Sequence, residues 1–367
     1  MPASRSKIDA PEQTPSLSPA AVVPRATIAD VARVAGVSKA TVSRFFNHRD
    51  ALLTADIATR VEKAVAELGY IPSRVAGALK RGGTRLVGLI VADVTNPYSV
   101  AVLRGAEKAC QEAGYLLMLF NLGNDSARES EALSALSSYQ VDGYILNTLG
   151  QDARAAAEVA RLGKPVVLVD RRHSNMHADF VSIDNGDAIE QAASHLISQG
   201  YRDLLYVTEP IRGVSSRIER ERAFRECVFA LPRRGIPGVN GHVFEAPEGD
   251  AEHQFAALDE ALRTFRTQAG GRPAAVLSNN AVTTLRLIEV LAHQGGQWGQ
   301  TLGLVGIDET EWAPYVGAGI STVAQPTGDL GRLAANCLIE RMRGLDLPPR
   351  QILLRGTLIP RGSSQGQ

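Results

Sequence analysis

The segment Thr27–Asn47, TIADVARVAGVSKATVSRFFN, admits few folds. Thr27 and Asp30 have the spacing of a helix N-terminal cap, and Ile28, Val31 and Ala35 then fall on one helical face. Gly36 stands where the chain needs a left-handed residue to leave that helix. Ser38 begins a second helix in which Val42 and Phe45 or Phe46 point inward, while Lys39, Ala40, Thr41, Ser43 and Arg44 point outward. Two short helices with a polar, basic outer face have the form of a helix-turn-helix, which lays its second helix in the major groove of a duplex. An ordinary helical hairpin with a solvated face is the alternative.

The next residues favour the DNA-reading form. Thr54 is placed to cap a third amphipathic helix carrying Ile57, Val61, Val65 and Leu68 on one face and ending at Gly69, so three helices can share a small core. The segment Tyr70–Lys80 then offers a cap at Ser73 but is too short to hold a helix alone. Isolated helices under about 12 residues are marginal in water, and Gly77 costs roughly 1 kcal/mol more. If this segment folds only on a partner, Leu79 among Arg74, Lys80 and Arg81 has the make-up of a wedge between base steps in the minor groove. A flexible basic linker is the plainer reading.

At 367 residues the chain exceeds what one core sustains, so at least two domains are expected. The net charge is zero overall, yet residues 25–84 carry ten Lys and Arg against five Asp and Glu, concentrating positive charge on the segment with the DNA-reader pattern. The three cysteines, Cys110, Cys227 and Cys337, are odd in number and far apart, as buried thiols in a reducing cytoplasm would be. Residues 1–24 are rich in Ala, Pro and Ser with no apolar run and read as a disordered tail, not a signal peptide. No stretch is long and apolar enough to span a membrane.

From Leu86 onward apolar strand-like runs alternate with amphipathic helices: LVGLIVADV, YLLMLFNLG, GYILN and PVVLVD, then a second cycle from about Ile183 with strands at Leu204–Thr208, Val276–Ser278 and Leu304–Ile307. Such runs imply parallel sheets covered on both faces, in two halves with a cleft between them. Ligands of open α/β sheets sit beyond the carboxyl ends of the strands. There the sequence places Asp93, Asn96 and Tyr98, then Asn147, then Asp170 with Arg171 and Arg172, and in the second half Ser216 and Arg220, Asn279 and Asn280, and Asp308. Ser216 and Arg220 are four apart and share a helix face, while carboxylates and amides at the other positions can fork onto sugar hydroxyls.

The motifs T-I-A-D-V-A-x-x-A-G-V-S-x-A-T-V-S-R, G-Y-I-P, G-L-I-V-A-D-V-T-N-P-Y, V-G-I-D-E and T-V-A-Q-P, spread from Thr27 to about Arg361, together resemble the lactose-repressor/galactose-repressor family of bacterial transcription regulators. The resemblance implies a small all-α helix-turn-helix domain joined to an α/β periplasmic-binding-protein-like sensor of two doubly wound subdomains. It divides the chain into a tail (1–24), the DNA-binding domain (25–70), a hinge helix (71–84), one sensor half (85–183 with 324–348), the other (184–323 with 349–362) and a tail (363–367). By that likeness Lys39, Ala40 and Arg44 read base edges, Thr27, Ser38, Thr41, Ser43 and Asn47 hold phosphates, and Leu79 is the wedge. Tyr98, Asn147, Asp170, Ser216, Arg220, Asn279 and Asp308 contact the effector, and Gln325-Pro326 forms a crossing between subdomains.

Departures from the family pattern bear on the effector. Ser99 replaces an aromatic, Ala223 replaces a glycine, and Asn280 replaces a carboxylate. Arg171, Arg172, Arg217 and Arg220 make the pocket margin basic, favouring an anionic sugar. The run from Thr208 to Arg220 looks like that of regulators sensing ketogluconate-type sugar acids. A palindromic operator read by a homodimer is expected, since one helix-turn-helix makes too few contacts. The end after Pro360 lacks the heptads of a tetramerising coil.

No G-x-S-x-G, H-E-x-x-H, Walker loop or post-strand G-x-G-x-x-G occurs, so neither catalysis nor a cofactor is expected. His173 and His177, four apart in a loop, are a weak signal for metal, and none is expected. An enzyme acting on a sugar acid and a sensor answering to a protein partner are the rival readings.

Overall fold

A computed structural model describes residues 26–47, 53–71, 83–173, 175–296, 298–299 and 302–366. The 1–24 tail, the hinge from 72 to 82 with its wedge Leu79, and the side chain of Asn47 lie outside the described residues. The chain divides into two compact units after Lys80.

The smaller unit holds α1 (Ile28–Ala35), α2 (Lys39–Asn47) and α3 (Ala55–Leu68). Thr27 and Asp30 form a reciprocal capping box: the Thr27 N–H donates to Asp30 Oδ2 at 3.0 Å, and the Thr27 hydroxyl oxygen accepts from the Asp30 N–H at 3.4 Å. Gly36 leaves α1 at φ 65°, and Ser38 Oγ accepts the Thr41 N–H at 3.1 Å. Thr54 departs from expectation. It stands at the N-cap of α3 but makes no side-chain cap bond among the described residues; the turn is closed by the Thr54 carbonyl and Ala58 N–H, with Asp56 supplying negative charge there. Val31, Ala35, Val42, Phe45, Val61 and Ala64 form the core. Arg60 of α3 binds this core to the turn, donating from Nε and Nη2 to the Ala35 carbonyl at 3.1 and 2.6 Å and from Nη2 to the Gly36 carbonyl at 3.0 Å. A cation thus satisfies carbonyls that the end of α1 leaves open.

The larger unit is built on two six-stranded sheets. The first contains β1 (Leu86–Val91), β2 (Leu116–Asn121), β3 (Gly143–Asn147), β4 (Val166–Val169), β5 (Asp179–Ile183) and, late in the chain, β11 (Gln351–Leu354), in the order β11-β5-β4-β3-β1-β2. The second contains β6 (Asp203–Thr208), β7 (Asn240–Glu245), β8 (Ala274–Ser278), β9 (Gly303–Ile307), β10 (Ser321–Ala324) and β12 (Thr357–Ile359), in the order β12-β10-β9-β8-β6-β7. Only β12 runs antiparallel to its neighbour among the described strands.

Between strands run α4 (Pro97–Glu112), α5 (Glu129–Ser138), α6 (Ala153–Leu162), α7 (Asn185–Ser198), α8 (Ser215–Ala230), α9 (Ala251–Ala269), α10 (Ala281–His293) and α11 (Thr327–Met342). Val87, Val102, Leu330 and Leu338 pack one sheet face of the first half; Ile189, Tyr206, Phe224 and Leu277 do so in the second. The inner strands are buried along their length, as parallel sheets require. Edge strand β2 differs, exposing Leu116 and Leu119.

The chain crosses between sheets at Asp184, at Gln325-Pro326 and at Arg355-Gly356. The last crossing falls later than expected from the 349–362 assignment. Residues 351–354 pair with β5, Gln351 opposite Phe180, because β5 would otherwise present an open edge; Arg350 also donates to Asp179 at 2.8 Å. Where the three crossings meet, a Cβ on Gly356 would lie 2.8 Å from Val323 Cγ1 and 3.0 Å from Ile183 Cδ1.

The 363–367 segment is no tail as far as Gly366. Ser363 and Ser364 are buried in a short 3-10 turn, with Ser363 Oγ accepting the Ser321 N–H at 2.8 Å and donating to the Leu304 carbonyl at 2.7 Å. Small hydroxyls here satisfy strand-end backbone groups, a role that composition alone does not show.

Candidate functional site

Two surfaces carry the residues singled out in the sequence, one in each unit. In the smaller unit α2 presents Lys39, Ala40 and Arg44 outward, with Thr41 and Ser43 half-buried beside them. Arg44 offers a planar fork of donors suited to the acceptor edge of guanine, and Ala40 a methyl suited to apolar contact. Thr27 is exposed, but its hydroxyl proton goes to Asp30 Oδ2 at 2.7 Å, so it cannot also donate to a phosphate while the capping box holds. The Ser38 and Thr41 hydroxyls share a hydrogen bond at 2.9 Å. Asp30 is held down at about 2, first by the hydrogen bond from Arg33 and then by those from Thr27.

In the larger unit Tyr98, Asn147, Asp170, Ser216, Arg220, Asn279 and Asp308 are all buried, and Tyr98, Asp170, Arg220, Asn279 and Asp308 converge. Topology is the reason. β4 and β9 hold the same place in their respective sheets, and each is followed by an aspartate with left-handed backbone, Asp170 at φ 67° and Asp308 at φ 79°. Their N–H groups bond to equivalent carbonyls on the next strand, Val181 at 3.0 Å and Val323 at 3.1 Å. Non-glycine residues in this region cost about 1–3 kcal/mol and persist where the surroundings impose them, as ligand sites do.

Arg220 links the halves. Its Nε donates to Asn185 Oδ1 at 2.7 Å, its Nη1 to the Asn279 carbonyl at 2.7 Å, and its Nη2 lies 3.8 Å from Asp170 Oδ1. Asp308 accepts from the Ala281 N–H at 3.1 Å and from Gln325 Nε2 at 2.6 Å. Burial pushes the Asp308 carboxyl upward against the pull of Arg220. The Tyr98 hydroxyl is held well above its ordinary value by burial and then by the charges of Asp170 and Asp308. Asn147 accepts from Ser99 Oγ at 3.3 Å and donates to the Val169 carbonyl at 3.3 Å, spending the polarity that Ser99 brings.

Further side chains belong to the same network. Glu209, at the end of β6, accepts from Asn280 Nδ2 at 2.6 Å and Asn279 Nδ2 at 3.3 Å and pairs with Arg217 Nη2 at 3.0 Å. Tyr206 donates to Asn279 Oδ1 at 2.8 Å. Arg171 Nε lies 3.2 Å from Asp170 Oδ2. Asn185, Glu209 and Gln325 were not singled out as ligand contacts; their one signal in the sequence is position just after a strand. Asp93 and Asn96, by contrast, serve local structure: Asp93 receives Thr95 N–H and Asn124 Nδ2, and Asn96 caps α4. Arg172 stacks on Phe180 at 4.0 Å and pairs with Glu219, and Asn280 caps α10.

Several buried atoms at this site have no hydrogen-bond partner among the described residues: Tyr98 Oη, Asp170 Oδ1, Gln325 Oε1, Arg171 Nε and Arg217 Nε. Unsatisfied buried polar atoms are rare in folded proteins, and their gathering at the strand ends makes this cleft the candidate seat for a polar ligand. Among the described residues no three His, Cys, Asp or Glu side chains gather to hold a metal. No described helix is long and apolar enough to cross a membrane.

Both units have known relatives. Residues 27–73 match the family described as bacterial regulatory proteins, lacI family, and residues 193–364 match the periplasmic binding protein-like domain. The chain is 47% identical over 340 residues to the HTH-type transcriptional regulator PtxS of Pseudomonas plecoglossicida, covering 93% of this chain and 96% of that protein. It is 36% identical over 339 residues to the HTH-type transcriptional regulator KdgR of Bacillus subtilis, covering 92% and 97%. The lac repressor dimer bound to operator and the anti-inducer ONPF shares the fold, with a TM-score of 0.78 at 24% identity over 93% of this chain and 99% of that one. The chain belongs to the lacI family of bacterial regulatory proteins and is a DNA-binding transcriptional regulator, not an enzyme.

Proposed function

We propose that the protein is a cytoplasmic repressor that binds a palindromic operator as a homodimer and is released when a sugar acid, 2-ketogluconate or a close relative, enters the sensor cleft. The observation that carries this reading is the buried constellation joining Asp170, Arg220 and Asp308 across the cleft, with unpartnered polar atoms on both sides. Hydroxyls of a sugar supply donors to Asp170 Oδ1 and Gln325 Oε1, and both functions to Tyr98. Lys39, Ala40 and Arg44 read bases in this scheme, with Thr41, Ser43, Ser38 and Asn47 against phosphates and Leu79 as the wedge; Thr27 reaches a phosphate only where its bond to Asp30 opens. The apolar edge strand β2, with exposed Leu116 and Leu119, supports self-association through the sensor.

The mechanism is a linked equilibrium. Effector binding shifts the sensor only by its differential affinity for two arrangements, a coupling of typically about 1–3 kcal/mol. The test is titration of the operator complex of the full-length protein with 2-ketogluconate, 2-keto-3-deoxygluconate and gluconate, read by fluorescence anisotropy. Release by at least one acid is expected. Unchanged operator affinity with all three would remove the sugar-acid reading.

A further inference from the structure

Two of the atoms without a hydrogen bond at the cleft can only donate: Arg171 Nε, which lies 3.2 Å from Asp170 Oδ2, and Arg217 Nε. Both side chains are nearly buried, at 10% and 12% exposure. They come from opposite halves of the sensor, Arg171 from the end of β4 and Arg217 from the first turns of α8. Each is already steered by its other nitrogens: Arg171 Nη1 donates to the Thr148 carbonyl at 3.3 Å, and Arg217 Nη1 donates to the Pro210 carbonyl at 2.8 Å. The two feel each other. Burial, with the like charges of Arg171 and Arg220, weakens the hold of Arg217 on its proton, against the pull of Glu209 and Asp170.

Three guanidinium groups, on Arg171, Arg217 and Arg220, face Asp170, Glu209 and Asp308. Burial raises the Asp308 carboxyl against the pull of Arg220, so the negative charge set against the guanidinium groups is held weakly there. A hydroxyl can answer the acceptor atoms of Asp170 and Gln325 and the Tyr98 hydroxyl. Two buried cationic donors call for an acceptor that carries negative charge.

We propose that Arg171 and Arg217 form a clamp, one arm from each half of the sensor, that receives the carboxylate of the effector. The proposal rests on the cleft being the sugar-acid site. Its consequence is that the acid group, and not the sugar ring, provides the larger share of selectivity. D-fructose is 2-ketogluconate with the carboxylate reduced to a hydroxymethyl group, and it supplies the neutral comparison.

Calorimetry of the full-length protein with 2-ketogluconate, its methyl ester and D-fructose is the test. The wild type is expected to prefer the acid over both neutral compounds by roughly 10- to 100-fold, the range of a lost charged hydrogen bond. Arg171→Gln and Arg217→Gln are each expected to lower acid affinity by a similar factor and to shrink the acid-to-fructose ratio, with Arg171→Lys and Arg217→Lys recovering part of it. Acid affinity unchanged in folded glutamine variants would overturn the clamp and leave the sugar-acid reading standing. Wild-type binding of the methyl ester or fructose as tight as that of the acid would overturn the clamp without needing any variant to fold. Absence of acid binding by the wild type would overturn both.

Discussion

The DNA-reading face and the effector cleft commit their side chains in opposite ways. On α2, Lys39, Ala40 and Arg44 project from a small core to which they contribute nothing, since the packing is done by Val42 and Phe45 on the opposite face. In the sensor, Asp170, Arg220 and Asn279 are buried and hold one another, and Asp308 is buried and held by Ala281 and Gln325. A recognition residue of the first kind can change with little cost to folding. One of the second kind cannot, so stability and response are joined in the cleft and separable on the head.

The sharpest challenge to that contrast is Arg220→Ala. It leaves the Asn185 Oδ1 and Asn279 carbonyl acceptors without their charged donor and Asp170 with Arg171 alone, and is expected to destabilise the sensor by about 1–3 kcal/mol in urea unfolding. Effector response is expected to vanish while operator binding persists at temperatures where the variant is folded. A full response from this variant would misplace the pocket.

Glu129, fully buried and hydrogen-bonded by the Thr148 hydroxyl at 2.8 Å beside the cleft, gives the next effect. Burial pushes its carboxyl up to about 7, from an ordinary 4.5. Between those values the folded state binds the extra proton, so stability falls as pH rises through the window and levels off above about 7. Glu129→Gln keeps an acceptor for Thr148 and removes the titration. It is expected to match the wild type at pH 4 and exceed it by ~3 kcal/mol at pH 8. Parallel pH profiles for the two proteins would refute this.

The two aspartates, twins in backbone, separate next. Asp170→Asn weakens ion pairs to Arg171 and Arg220 and is expected to cost about 1–3 kcal/mol. Asp308→Asn meets only amide partners, and Gln325 can turn its free Oε1 toward the new amide, so a smaller loss is expected. Urea midpoints of the two variants decide the order. Smallest in stability is Arg44→Ala, expected within about 0.5 kcal/mol of wild type. Its operator discrimination is nevertheless expected to drop by about 1–3 kcal/mol, measured as the ratio of specific to non-specific affinity.

What could be read from the sequence follows the same division. The Thr27–Asp30 box, the turn at Gly36 and the Ser38 cap are written within four residues of their partners, and they stand as expected. Thr54 had the right neighbours and still made no side-chain bond among the described residues, because the first turn of α3 closes through backbone. The strand-end residues of the cleft were legible through alternation of strands and helices. Their pairings were not: Arg217 with Glu209 is visible as nearby sequence, but Arg220 with Asn279, 59 residues apart, exists only once two sheets are assembled. The sheet exchange of residues 351–354 and the burial of Ser363 and Ser364 are hidden for the same reason.

The meeting of three crossings at Gly356 gives the sensor the mechanics of a book bound along one spine. Three covalent threads close together resist sliding and pulling apart, while rotation about the line they share stretches none of them. A cleft ligand therefore needs only the work of turning one page against another. A side chain at Gly356 would wedge the binding, crowding Val323 and Ile183, and would stiffen the turning without touching the page on which the effector is read.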